Sequence, residues 1–258
     1  DAIRQFLADD DTLAAVISRA HAVFQDLQDA EPELLAMDES AQMKTVQDGI
    51  INFYASDAVN PYVAVAAQGP WIISLKGAVI YDCGGYGMLG LGHVPESVLD
   101  TMNQPHVMAN IMTPSVSQMQ FIRHLRAEIG HTRKNGTPFD RFLCLNSGSE
   151  SVSVASRLAD INAKEMTDPG GRYEGQEIRG LTLRGSFHGR TDRPARFSHS
   201  TLKNYRKHLA SFQHDSDYLL TVEPNNIDEL EKVFAAAVAD NVFIEAFFME
   251  PVMGEGNP

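Results

Sequence analysis

Residues 142–151 read Phe142-Leu143-Cys144-Leu145-Asn146-Ser147-Gly148-Ser149-Glu150-Ser151. An apolar run leads into a turn of small residues and then into a helical stretch over 149–164, a pattern typical of a buried strand followed by a helix. Such a turn directs free backbone N–H groups and the positive end of the helix dipole at one point, where a phosphate binds well. Gly148 lets the backbone come close to a ligand, and the hydroxyls of Ser147 and Ser149 can add hydrogen bonds. The alternative is that Ser149 only caps the helix.

The same alternation of strand and helix continues to the end of the chain. It is typical of βα units that build a mostly parallel sheet, so the predicted fold class is α/β. The predicted strands are 141–145, 180–183, 218–222 and 243–249, and the predicted helices between them are 149–164, 202–209 and 227–239.

The first part of the chain has a different pattern. Apolar residues at helical spacing over 3–27 predict two amphipathic helices, and the runs 71–75 and 78–82 around Lys76-Gly77 predict a β-hairpin. A helix that Ser115 can cap opens the next region. We therefore divide the chain into an N-terminal segment, 1–114, and a main domain that begins at 115 and runs to 258.

Composition limits the classes of function. With 34 acidic and 21 basic residues, the formal net charge is −13, which argues against partners such as nucleic acid or anionic membranes. No apolar run approaches the roughly 20 residues that span a bilayer, and the N-terminus lacks the pattern of a secretory signal. Cys83 and Cys144 lie in apolar segments, so we expect small buried thiols in a reducing compartment, with the cytoplasm as the expected location.

A second motif, Ser186-Phe187-His188-Gly189-Arg190-Thr191, follows a predicted strand. A flat heteroaromatic cofactor needs an apolar face to stack on, which the ring of Phe187 could supply. His188 could hydrogen-bond nearby, although a lone histidine in a loop is more often structural or solvated. Arg190 is likewise more often a surface charge than a substrate ligand.

A third motif, Met249-Glu250-Pro251-Val252-Met253-Gly254-Glu255-Gly256, follows the last predicted strand. Ligands of open α/β sheets bind beyond the carboxyl ends of the strands, so Glu250 and Glu255 are expected to face a site. The alternative is a solvated acidic loop.

Taken in order, the three motifs resemble those of the class III aminotransferases, a pyridoxal-phosphate (PLP) dependent family related to ornithine, acetylornithine and 4-aminobutyrate aminotransferases. Residues 81–82 and 89–96 are similar to the N-terminal segment of that family, so the resemblance covers about 70–258. It implies the PLP-dependent transferase fold type I. That fold has a large domain around a mostly parallel sheet and a smaller α+β domain, to which the N-terminal segment contributes.

The resemblance also implies roles for individual residues. The amides of Gly148 and Ser149, next to Ser147, would hold the PLP phosphate, while Phe187 would stack on the pyridine ring beside His188. Glu250 matches a polar residue in the network around the cofactor.

On the substrate side, Glu255 matches a glutamate that pairs with a substrate-binding arginine and swings aside for the second substrate. Tyr86 falls where relatives place an aromatic residue. Met253 and Asn257 depart from the glutamine and glycine that are usual in the family. The lysine that forms the Schiff base is expected beyond Pro258, together with the aspartate that pairs with the pyridinium nitrogen.

The activity implied is transfer of an amino group from an amine or amino acid to an oxo acid by a ping-pong mechanism, in a homodimer. Aminomutases, decarboxylases and racemases of the same fold stay open, as does a non-catalytic relative. A nicotinamide-dependent oxidoreductase is the alternative from another class, because residues 85–90 fit G-x-G-x-x-G. It is disfavoured because Gly92 and Pro95 interrupt the chain where a helix would have to begin.

Overall fold

The computed structural model of the chain describes residues 2–51, 58–83, 89–107, 112–212 and 217–254. They form two compact units, Asp1–Ser115 and Val116–Pro258. That these units belong to a smaller and a larger domain stays a prediction.

The first unit contains helices followed by a small antiparallel sheet and a further helix. Its elements are α1 (Ala2–Asp9), α2 (Asp11–Ala30), α3 (Pro32–Ala36), α4 (Glu39–Val46), β1 (Ala64–Gln68), β2 (Trp71–Ser74), β3 (Val79–Tyr81) and α5 (Glu96–Met102). Helix α2 begins where the carboxylate of Asp10 accepts the N–H of Leu13 at 2.8 Å. Leu13 and Val16 lie on its buried face and form a core with Ala66 and Ile73 of the sheet.

The sheet of this unit has the order β1-β2-β3. Strands β2 and β3 form the predicted hairpin, and Gly77 turns the chain between them with φ at 82°. The pattern did not predict β1, whose sequence Ala-Val-Ala-Ala-Gln contains one β-branched residue. Pairing with β2 and packing against α2 outweigh that weak propensity.

The second unit has a parallel sheet of the order β5-β4-β6 among its described residues. Its elements are α6 (Val116–Gly130), α7 (Gly148–Thr167), β4 (Glu177–Leu183), α8 (Asp192–Phe197), α9 (His199–His208), β5 (Leu219–Val222), α10 (Ile227–Ala239) and β6 (Val242–Phe248). Leu181, in the central strand, is fully buried, and the rings of Phe197 and Phe248 pack 4.3 Å apart. This sheet carries the second and third motifs at its carboxyl edge.

One predicted strand is absent. Residues 141–145 have no strand conformation, and the side chains of Leu143 and Leu145 are 63% and 42% exposed. A strand exists through its hydrogen bonds to a neighbour, and none of the described strands pairs with this segment. The prediction of a strand over residues 141–145, which rested on their apolar composition alone, is therefore wrong.

The expected burial of the two cysteines is also wrong. Cys83 and Cys144 are both free and exposed. Cys144 lies in the unpaired segment just described, and Cys83 comes directly after β3 has ended at Tyr81. Neither thiol therefore lies under a packed sheet.

Among the described helices, none combines the length and apolar character needed to cross a membrane.

Candidate functional site

The N-terminus of α7 is exposed. Ser147 is its N-cap, and its hydroxyl accepts the N–H of Glu150 at 3.2 Å while donating to the carboxylate of Glu150 at 3.3 Å. Both Ser147 and Gly148 are exposed, and a Cβ added to Gly148 would meet no atom within 4 Å. Backbone N–H groups in the first turn have no partner within a helix, so this end can accept an anion.

The loop of the second motif lies directly against this helix end. A Cβ on Gly189 would lie 2.5 Å from the hydroxyl oxygen of Ser149, and Gly189 has φ at 123°. Only glycine fits this close approach and backbone conformation. The hydroxyls of Ser153 and Thr191 are 3.3 Å apart across the same contact. The structure therefore brings the first two motifs together.

Glu250 joins the third motif to the second. One carboxylate oxygen accepts the backbone N–H of Phe187 at 2.9 Å, and the other accepts the backbone N–H of Gly254 at 2.9 Å. The carboxylate thus holds two loops, one at the end of β4 and one at the end of β6.

The ring of Phe187 is half-buried and takes part in stacking. The guanidinium carbon of Arg190 lies 5.4 Å from the centre of this ring, a cation–π distance. The sequence had suggested a surface charge at Arg190, and the residue is indeed exposed. One face of the ring is therefore in contact with the cation of Arg190.

His188 is held on both sides. Its Nε2 atom lies 3.0 Å from the hydroxyl of Thr182, and its backbone N–H donates to the hydroxyl of Ser198 at 2.8 Å. Burial lowers the pKa of His188 below its ordinary value, and the nearby carboxylate of Glu250 opposes this shift. The imidazole is therefore neutral near pH 7.

Three buried hydroxyl residues, Thr182, Ser186 and Ser198, belong to the site but were not predicted from sequence. All three are fully buried. The signal was present in Leu181-Thr182-Leu183, because a hydroxyl inside an apolar strand requires a hydrogen-bond partner when buried. Two of its partners, Ser186 and His188, follow in the next loop and the third is the carbonyl of Phe248 on the neighbouring strand, and the sequence alone did not show which of these groups the hydroxyl meets.

Two predicted residues, Tyr86 and Glu255, lie outside the described residues. Their substrate-side roles stay predictions.

Comparison with known proteins supports the resemblance of the motifs. The family model described as "Aminotransferase class-III" matches residues 53–257. An ornithine aminotransferase 1 of Staphylococcus aureus is 24% identical over 218 residues, which cover 80% of this chain and 48% of the relative. The chain thus spans about half the length of the curated relatives it matches.

Solved structures share the fold. An ornithine aminotransferase from Toxoplasma gondii ME49 gives a TM-score of 0.64 at 20% identity, over 87% of this chain and 48% of that one. A taurine:2-oxoglutarate aminotransferase from Bifidobacterium kashiwanohense, solved in complex with PLP and glutamate, gives 0.59 at 12% identity, over 84% and 49% respectively. The predicted fold class is therefore confirmed, and the chain belongs to the class III aminotransferase family.

Proposed function

We propose that the protein containing this chain is a PLP-dependent aminotransferase that moves an amino group from an amine or amino acid to an oxo acid. The observation that carries the proposal is the meeting of three separate motifs at the N-terminus of α7. The contact between Ser149 and Gly189 and the bond from Phe187 to Glu250 join them. Membership of the family supplies the reaction class.

The residues present fit PLP. The first turn of α7 offers an anion site with open space at Gly148, and the loop that approaches this turn at Gly189 carries the ring of Phe187, on which the cofactor would stack. His188 follows Phe187 in the chain, and because it is neutral it adds no charge to the loop on which the cofactor would stack. We assign the phosphate to Ser147, Gly148 and Ser149.

When bound, PLP supplies an electron sink for bonds to the substrate's amino carbon. The residues of this chain would bind and orient it: the end of α7 would hold the phosphate and Phe187 would lie against the ring. Glu250 holds the backbone N–H of Phe187 and so keeps that side chain in place.

The substrates proposed are an amino donor and an oxo-acid acceptor used in turn. Because the curated relatives are ornithine aminotransferases, ornithine belongs among the first donors to test. Glu255 is proposed to neutralise a substrate-binding arginine when the second substrate requires it, and Tyr86 to contact the substrate. We also propose a cytoplasmic homodimer, which cell fractionation and a solution mass measurement would check.

The deciding experiment uses the full-length protein purified with PLP. Its visible absorption spectrum is recorded before and after the addition of ornithine, other ω-amines and α-amino acids, and then after 2-oxo acids. A band of enzyme-bound PLP that a donor bleaches and an oxo acid restores supports transamination.

Other results separate the alternatives. Bleaching that no oxo acid reverses, with release of carbon dioxide or an isomerised product, favours a decarboxylase, aminomutase or racemase. A folded protein that forms no band in excess PLP rules out the proposal and leaves a non-catalytic relative.

A further inference from the structure

The hydroxyl of Thr182 lies at the centre of a buried network behind the Phe187 loop. Thr182 is fully buried on β4, and its oxygen has three neighbours in hydrogen-bond range. These are the carbonyl oxygen of Phe248 at 3.0 Å, the hydroxyl of Ser186 at 2.7 Å and Nε2 of His188 at 3.0 Å.

The direction of each bond follows from the chemistry of the groups. A hydroxyl has one proton to donate and two lone pairs that accept, whereas a carbonyl oxygen only accepts. The proton of Thr182 therefore goes to Phe248, and both other partners must donate to Thr182. Ser186 can do so with its hydroxyl, and His188 can do so only with a proton on Nε2. The network thus fixes one tautomer of His188, with the lone pair on Nδ1.

The same network fixes the backbone of the loop. The hydroxyl of Ser198 accepts the backbone N–H of His188 at 2.8 Å, and its one proton lies between two carbonyl oxygens in range, those of Pro194 at 2.9 Å and Gly189 at 3.0 Å. Residues 186–189 are thus held by Thr182 of β4, by Ser198 at the start of α9 and by Glu250 after β6. The ring of His188 is the part of this arrangement that depends on Thr182.

We propose that Thr182 is a positioning residue that holds His188 in one tautomer and orientation and thereby sets the loop carrying Phe187 for cofactor binding. The part that concerns the cofactor rests on the proposed function. The part that concerns the tautomer does not.

The role belongs to the hydroxyl rather than to the volume of the side chain. Valine has nearly the same shape as threonine but would leave two buried donors, on Ser186 and His188, without their acceptor. Thr182→Val is therefore the test, and Thr182→Ser, which keeps the hydroxyl, should rescue it. Thr221 pairs in register with Thr182 on the neighbouring strand, so Thr221→Val is the matched control.

The first experiment measures the dissociation constants of PLP and of 4'-deoxypyridoxine 5'-phosphate, which lacks the aldehyde, in the full-length protein. We expect Thr182→Val to weaken both about tenfold, the effect of a lost hydrogen bond that leaves a buried partner unsatisfied. Thr182→Ser and Thr221→Val should stay close to wild type. Unchanged affinity in Thr182→Val, or an equal loss in Thr221→Val, overturns the positioning role.

The second experiment asks whether Thr182 acts through His188. In a His188→Ala background, Thr182→Val should cost much less affinity than it does alone, because interacting residues give non-additive effects. Additive losses contradict the proposal.

The third experiment records ¹⁵N spectra of histidine-labelled full-length protein, with His188→Gln used to assign the signal. We expect the Nε2–H tautomer in wild type and its loss in Thr182→Val; an Nδ1–H tautomer in wild type overturns the assignment. This result stands whether or not the protein binds PLP. If wild type shows the expected tautomer but binds neither ligand, it is the proposed function that fails.

Discussion

The carboxylate of Glu250 has a backbone N–H on each oxygen, from Phe187 and from Gly254. In Glu250→Gln, one of these two donors would face the NH₂ group of the new amide and lose its acceptor. We expect the free energy of unfolding to fall by about 1–3 kcal/mol, with weaker PLP binding because Phe187 is no longer held. Urea unfolding and PLP titration of the full-length protein measure the two effects.

Glu174→Gln is a suitable control, since Glu174 also accepts a loop N–H, from Gly170 at 2.9 Å, but through one oxygen and on an exposed surface. A Glu250→Gln protein as stable as this control, with normal PLP affinity, would contradict the holding role of the carboxylate.

Glu245 is a second carboxyl group, and it is expected to make the stability of the protein depend on pH. It lies within β6, accepts the hydroxyl proton of Tyr218, and has its other oxygen buried without a partner among the described residues. Burial raises the pKa of Glu245 above its ordinary value of 4.5, although the bond from Tyr218 opposes the shift. The native state therefore binds a proton more tightly than the unfolded state does, so this residue makes the protein less stable as pH rises above about 4.5.

Glu245→Gln keeps an acceptor for Tyr218 and removes the charge. We expect the variant to gain stability over wild type as pH is raised from about 4.5 towards 8, as measured by urea unfolding at each pH. A difference that is constant with pH, or that shrinks, would show that Glu245 does not titrate with a raised pKa.

At the scale of the helix, α7 and α10 offer a matched pair of N-caps. Ser147 accepts the N–H of Glu150 at 3.2 Å, and Asn226 accepts the N–H of Glu229 at 3.0 Å. Replacing either cap by alanine should lower the free energy of unfolding by about 1 kcal/mol. Only Ser147→Ala should also weaken binding of PLP, because only that helix end is proposed to hold the phosphate.

Unfolding and PLP titration of Ser147→Ala and Asn226→Ala separate the two effects. Equal PLP affinity in both variants would remove Ser147 from the phosphate site.

Local composition predicts some strands of this protein and misses others. Strands β4, β5 and β6 were predicted to within a few residues, because each contains a short run rich in apolar residues after a helical stretch. Residues 141–145 have the same composition but no pairing strand, and β1 has a poor composition but a good partner. Pairing depends on distant segments, so composition cannot decide it.

The residues of the candidate site also divide into those that local sequence indicates and those that depend on tertiary contacts. The motif residues Gly148, Phe187 and Glu250 could be selected from local pattern and resemblance. The close contact at Gly189 and the roles of Thr182 and Ser198 depend on which side chains fold behind the loop. The contact between Gly189 and Ser149 joins segments 40 residues apart, and the contacts of Thr182 and Ser198 with His188 depend on how the loop folds back onto its own strand and helix, so all three required the structure.

At the scale of the whole molecule, ligand binding and stability are linked. A ligand that binds only the native state adds RT ln(1 + [L]/Kd) to the free energy of unfolding, about 2.7 kcal/mol at a hundredfold excess over Kd. If the end of α7 holds the phosphate, 4'-deoxypyridoxine 5'-phosphate should stabilise the full-length protein with this concentration dependence. Deoxypyridoxine, which has the ring without the phosphate, should stabilise it far less.

Thermal unfolding over a range of ligand concentrations measures both increments, and neither ligand has an aldehyde that could react with surface lysines. Inorganic phosphate serves as the control for a non-specific effect of the anion. Equal stabilisation by the two ring compounds would mean that the ring alone is recognised, and the first turn of α7 would then not be the phosphate site.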